Sequence, residues 1–201
     1  MTDTLAAPVR LLGLPGSLRK NSNCLAVLLG LQTILPETAS LEIRDLDLPL
    51  YNQDEDGDAS PAAVVELRRA ATKSDGLVIV TPEYNYGMSG VLKNALDWIS
   101  RPYGKSSMMG KPALVISVSP ATTGGVRAQG QVFMTLLGIG ARIPPGPQVV
   151  IGNAREKIRD GRLTDEPTLA FARDAVGRLV EEIGMLQTVA RLREEPSSRG
   201  P

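Results

Sequence analysis

The chain has 201 residues, enough for one domain with a substantial core. Its 22 basic and 22 acidic residues cancel, so there is no electrostatic footprint for nucleic acid or an anionic membrane. One cysteine rules out an internal disulfide framework and multi-cysteine metal or iron–sulfur sites, and the absence of histidine removes Ser-His and Cys-His dyads and histidine metal sites.

Residues 1–8 read as a loose leader. They lack the basic and apolar regions of a signal peptide, and no apolar run approaches the ~20 residues that span a bilayer, so the expected location is the cytoplasm. Residues 9–14 form a first strand ending at Pro15-Gly16, followed by the loop Ser17-Leu18-Arg19-Lys20-Asn21-Ser22-Asn23 and a helix over 24–35. Strand, small polar loop and helix start point backbone amides and a helix dipole at one spot. A second strand covers 40–45, a solvated acidic stretch covers 54–58, and a second helix begins at Ser60 or Pro61 and runs to 74.

The central stretch is 75–100. Leu77 to Val80 is an unbroken, β-branched run that reads as a strand buried on both faces of a parallel sheet. Pro82 stops it, since proline has no amide proton and restricts the residue before it. The loop Glu83-Tyr84-Asn85-Tyr86-Gly87 follows, then a helix whose apolar face carries Val91, Leu92, Ala95, Leu96, Trp98 and Ile99. Residues 101–111 read as irregular, 113–118 as a fourth strand, and 119–125 as a third loop with paired threonines and glycines. A helix over 126–137, a fifth strand over 148–151 and a charged excursion over 153–164, with a turn at Asp160-Gly161, come next. The last helix covers 165–187, and 188–201 reads as a polar, disordered tail.

Five strands alternating with helices predict an α/β fold: one doubly wound parallel sheet in a three-layer sandwich over 9–187. The three informative loops then leave the carboxyl ends of strands one, three and four, along the rim where such sheets bind ligands. The first loop has phosphate chemistry in the Ser17 and Ser22 hydroxyls and the planar fork of Arg19, and it equally reads as a capped helix start with an exposed arginine. It matches neither the dinucleotide fingerprint nor a Walker loop, which leaves a monophosphate. In the second loop Tyr84, Asn85 and Tyr86 suit an aromatic, hydrogen-bonding ring system; taken alone, it reads as a surface turn with packed tyrosines.

Three segments carry a resemblance: Gly16-Ser17-Leu18-Arg19-Lys20-Asn21-Ser22, Thr81-Pro82-Glu83-Tyr84-Asn85-Tyr86, and Leu92-Lys93-Asn94-Ala95-Leu96-Asp97-Trp98. Over about 9–187 the chain resembles the NADPH-dependent FMN reductase family, which includes flavin, quinone, azo-dye and chromate reductases on a flavodoxin-like fold. The resemblance implies FMN as cofactor and NADPH or NADH as co-substrate. It places Ser17, Arg19, Ser22 and Asn23 at the FMN phosphate. Pro82, Glu83, Tyr84, Asn85 and Tyr86 would lie along the ring and ribityl chain, and Ser119 would approach the ring from the fourth strand. Cys24 departs from the family pattern, standing where many members carry a residue able to donate to phosphate; a buried small residue at a helix start is expected there rather than a redox thiol. Glu83 is expected to shape its loop by accepting amide hydrogen bonds.

The implied activity is hydride transfer from NAD(P)H to bound FMN and then electron transfer to a small acceptor: a quinone, free flavin, azo dye or oxyanion. No protein side chain carries the chemistry, and both substrates share one surface. The alternative is a flavodoxin-type electron carrier, which is usually acidic around the flavin; this chain is neutral, with Arg101, Lys105 and Arg127 near the rim. Arg19 and Arg127 are candidates for a 2′-phosphate. The resemblance also implies a homodimer or homotetramer, with 48–51 and 98–103 as interface elements, although Trp98 reads equally as core.

Overall fold

The computed structural model describes residues 8–194. Five parallel strands make one sheet: β1 (Val9–Pro15), β2 (Ala39–Ile43), β3 (Gly76–Thr81), β4 (Ala113–Val118) and β5 (Val149–Ile151), in the order β2-β1-β3-β4-β5. This is the flavodoxin-like order, whose crossovers put helices on both faces. All six residues of β3 are buried. Its side chains alternate between two cores, as the period of 2 demands. Val78 and Val80 face α1 (Asn23–Leu31) and α6 (Glu166–Glu194), whereas Leu77 and Ile79 face α2 (Ala62–Lys73), α3 (Gly90–Ile99) and α4 (Val126–Gly138). The three layers expected from the sequence are therefore present.

Several boundaries differ from the sequence reading, each for a local reason. Helix α1 ends at Leu31 rather than at 35, because the Thr33 hydroxyl and amide both donate to the Gly30 carbonyl, at 2.7 and 3.0 Å, and the chain unwinds ahead of Pro36. Strand β2 ends at Ile43 rather than at 45; the Arg44 amide makes the last bond across to Gly13.

The excursion over 153–164 is ordered. A short helix α5 (Ala154–Lys157) leads into an antiparallel hairpin, β6 (Ile158–Arg159) and β7 (Arg162–Leu163), around the expected turn. Asp160 and Gly161 take φ of 48° and 72°, the left-handed pair of a tight hairpin. The hairpin packs on α1 because Gly30 leaves room: a Cβ there would sit 2.7 Å from the Leu163 Cβ.

The expected disordered tail over 188–201 is corrected in its first part. Helix α6 continues to Glu194, since Ala190, Arg191, Leu192, Arg193 and Glu194 are good helix formers and no glycine or proline interrupts them. The reading of 195–201 as tail, and of 1–7 as leader, falls outside the described residues. Among the described residues no helix is long and apolar enough to cross a membrane.

Candidate active site at the carboxyl rim of the sheet

Strands β1, β3 and β4 are neighbours, so the loops that leave them are neighbours too. The contacts between these loops are specific. Loop one meets loop two at Gly16, whose amide donates to the Val80 carbonyl at 2.8 Å and whose carbonyl accepts from the Ser89 hydroxyl at 2.7 Å. A Cβ on Gly16 would lie 3.1 Å from both the Pro82 ring and the Val80 oxygen, so only glycine fits this crossing without displacement. Loop two meets loop three at Gly125, where a Cβ would lie 3.2 Å from that of Glu83. Gly124 and Gly125 both have positive φ, 62° and 76°, which turns the chain sharply into α4.

In loop one Ser22 caps α1, its Oγ accepting from the Leu25 amide at 3.2 Å. Among the described residues the Asn23 and Cys24 amides have no acceptor, as the geometry of a helix start dictates. Arg19 is exposed and, among the described residues, has no carboxylate partner. Ser17 is half-buried, and its Oγ lies 3.4 Å from the Arg19 amide. Two uncommitted amides, a helix dipole and a free guanidinium make a donor set for an anion such as a phosphate. A cavity of about 180 Å³ adjoins this loop, lined by Lys20 to Asn23, Leu25 and Ala26 and walled by Ile158 and Gly161 of the hairpin.

Cys24 is 1% exposed, and burial pushes its thiol up to about 12. It is a protonated core residue, as expected.

Loop two is a tight turn. The Tyr84 and Gly87 amides each donate to the other's carbonyl, at 3.0 and 2.9 Å, with Asn85 and Tyr86 at φ of 49° and 67°. The Asn85 and Tyr86 amides have no acceptor among the described residues and remain available to a ligand. Neither tyrosine packs into the core, as a plain surface turn with packed tyrosines would have it: Tyr84 is 54% exposed and Tyr86 68%. Pro82 is half-buried, and its carbonyl accepts from the Thr81 hydroxyl at 2.8 Å.

Glu83 accepts an amide hydrogen bond as expected, from Arg127 at 2.9 Å, and also binds that residue's guanidinium at 2.7 Å. Arg127 in turn lies over the Tyr86 ring, 4.0 Å from its centroid. In loop three the Ser119 Oγ accepts from the Ala121 amide at 3.1 Å, and the Thr122 hydroxyl donates to Asn153 at 3.3 Å.

Ser17, Arg19, Ser22, Pro82, Glu83, Tyr84, Asn85, Tyr86 and Ser119 therefore lie on three loops of one rim, with Asn23 as the first residue of α1 after loop one. The sequence reading missed Ser89, the hairpin wall and the Glu83–Arg127 pair. A serine before an apolar helical run signals the first, and Asp160-Gly161 signals the second. Nothing local signals the third.

The expected interface elements divide. Trp98 is fully buried core, and its indole donates to the Pro49 carbonyl at 2.8 Å. Asn94 accepts from the Tyr51 amide at 2.8 Å and donates to Pro49 at 2.9 Å, strapping 48–51 onto α3. Leu50 and Tyr103 remain largely exposed.

A doubly wound sheet whose rim offers an anion cradle beside a tight turn with free amides defines a nucleotide- or flavin-binding α/β protein. Comparison with known proteins narrows this: residues 9–156 match the model of the NADPH-dependent FMN reductases, and the chain belongs to that family. A quinone reductase of Pseudomonas putida is 36% identical over 175 residues, 87% of this chain and 94% of the relative. An NAD(P)H-dependent FMN reductase of Pseudomonas aeruginosa is 38% identical over 160 residues, 79% of this chain and 86% of the relative. Among solved structures, the flavoenzyme NAD(P)H:(acceptor) oxidoreductase FerB of Paracoccus denitrificans superimposes with a TM-score of 0.78 at 35% identity, covering 88% of this chain and 98% of its own. The family is one of oxidoreductases that work with FMN and NAD(P)H.

Proposed function

We propose that the rim binds FMN and that the protein passes reducing equivalents from NAD(P)H to a small soluble acceptor, with quinones as the first class to test. The observation that carries this reading is the joining of three loops at Gly16 and Gly125, which sets an anion cradle and a turn with two free amides on one rim. The quinone reductase names among the relatives support the acceptor class. When bound, FMN supplies the hydride and electron chemistry.

The chain's own residues bind and orient. Arg19, the Ser17 and Ser22 hydroxyls and the Asn23 amide would hold the phosphate. The turn from Pro82 to Tyr86 would set its amides along the ring edge, where negative charge builds on reduction. Ser119 would close the site from β4. One open surface serves donor and acceptor in turn, and the expected kinetics are ping-pong.

A homo-oligomer and a cytoplasmic site of action belong to the same reading. The NAD(P)H requirement supports the latter. For the former, Gly90 and Gly130 face open space on α3 and α4, beside a groove of about 580 Å³ lined also by Met88 and Met134. Helix-interior glycine costs about 1 kcal/mol against alanine, and the single chain offers no close neighbour at Gly130 to account for it. Light scattering of the purified protein tests this; a monomer at micromolar concentration would overturn it.

The functional test is an anaerobic visible spectrum of protein purified with FMN. Flavin bands that bleach on NADPH and return with a quinone are expected. Bands that bleach only with dithionite would point to an electron carrier, and the absence of flavin bands would overturn the reading.

A further inference from the structure

We propose that Arg127 is a positioning residue for the flavin-facing turn and not a ligand for a cofactor phosphate. The inference rests on the reading that this turn lines the flavin ring.

The guanidinium is already committed. Its Nε and Nη2 both lie 2.7 Å from Glu83 Oε1, while the Arg127 amide donates to Oε2 at 2.9 Å. Both carboxylate oxygens of Glu83 are thus held by one residue at the start of α4. The Glu83 side chain is 9% exposed, so its charge is largely withdrawn from water and depends on this partner. The remaining face of the guanidinium covers the Tyr86 ring at 4.0 Å. Four residues further along α4, Gln131 Oε1 accepts from the Met88 amide at 3.1 Å. A Cβ on Gly87 would lie 2.6 Å from that same Gln131 oxygen, so the turn lies directly against the helix. One helix therefore grips the turn before, within and after its four residues.

The grip has work to do, because the turn is strained. Two successive residues with positive φ favour Asn-Gly, and this chain places Asn85 and then a tyrosine there. A bulky residue with left-handed backbone persists only where its surroundings hold it. Arg127 supplies the hold from both sides, by ion pair to Glu83 and by stacking on Tyr86. A 2′-phosphate would have to compete with a nearly buried carboxylate for the same two nitrogens.

The pair also sets charge beside the ring. Reduction adds negative charge to the flavin, so an unpaired Glu83 carboxylate opposes it and an unpaired Arg127 favours it. The prediction is therefore one of opposite signs. Arg127→Ala makes the potential of bound FMN more negative, Glu83→Gln makes it more positive, and the double variant returns towards the parent. Arg127→Lys keeps the charge but loses the fork, so the potential stays near the parent while the turn loosens.

The experiment is hydrogen–deuterium exchange of the 84–88 amides in flavin-free protein, combined with redox titration of the FMN-loaded parent and the four variants. Expected are exchange at least roughly tenfold faster at Gly87 and Met88 in all four, and the signed pattern of potentials. The ratio of kcat/KM for NADPH to that for NADH should not change in Arg127→Ala. Unchanged exchange in Arg127→Ala would overturn the clamp, even in protein that never binds FMN. A loss confined to NADPH would return Arg127 to the phosphate. A parent that fails to take up FMN would refute the functional reading and leave the exchange result to judge the clamp.

Discussion

Arg19 separates a functional cation from an incidental one most simply. Its guanidinium has no carboxylate partner among the described residues and sits beside the free first-turn amides of α1. Arg19→Ala should weaken FMN binding by about 1.5–3 kcal/mol, the value of a charged hydrogen bond, while leaving riboflavin binding nearly unchanged. Fluorescence titration with both flavins measures the difference, and equal losses would detach loop one from the phosphate.

Cys24 makes the opposite case of a nucleophile withdrawn from chemistry. With its thiol pushed up to about 12 by burial, folded protein should resist iodoacetamide at pH 8 and react only after denaturation. The folded pKa is raised above the unfolded value of 9.0, so the unfolded chain loses its proton first as pH rises. Stability from this site is complete below pH 9 and is lost between pH 9 and about 12, by about 1.4 kcal/mol per pH unit. Urea unfolding at pH 8 and pH 10 should show Cys24→Ala with a shallower loss than the parent.

Among the elements, the hairpin of 158–163 depends on α1 for its position. Gly30→Ala would drive a Cβ to 2.7 Å from both the Leu163 Cβ and its carbonyl oxygen, and neither backbone can move freely. The expected cost is about 1–3 kcal/mol, read by urea unfolding on the fluorescence of Trp98, the only tryptophan. Since Ile158 and Gly161 wall the cavity beside loop one, FMN affinity should fall in the same variant.

Helix α6 carries its own acid-sensitive start. Asp165 accepts from the Thr168 hydroxyl and from its amide, and those bonds hold its carboxyl below the usual range. The cap is intact at neutral pH and is lost as pH falls through the depressed folded value. Asp165→Ala should cost about 1 kcal/mol at pH 7, and the difference from the parent should shrink in acid, as thermal unfolding at several pH values will show.

At the scale of the whole molecule the rim is held from both faces of the sheet, and ligand binding should stabilise everything that carries it. FMN at a hundred times its dissociation constant adds about 2.7 kcal/mol. For a chain of this size that raises the melting temperature by roughly 5–11 °C. Differential scanning fluorimetry with FMN and with riboflavin tests both the binding and the phosphate's share; no shift with either would count against the rim as a flavin site.

What the sequence determined by itself was local. The run Leu77–Val80, its stop at Pro82, the apolar face of α3 and the capping serine before α1 are fixed by propensity and spacing within a few residues, and their order alone required a parallel sheet with three loops on one rim. Hidden in the sequence were pairings between residues far apart. Ser89 meets Gly16 across 73 positions, Arg127 meets Glu83 across 44, and the charged stretch after Asn153 becomes a hairpin only against the gap left by Gly30. Tertiary structure alone decided these, because a hydrogen bond or ion pair depends on distance in space. The strand order that sets those distances is chosen by packing the whole sheet between its two helical layers.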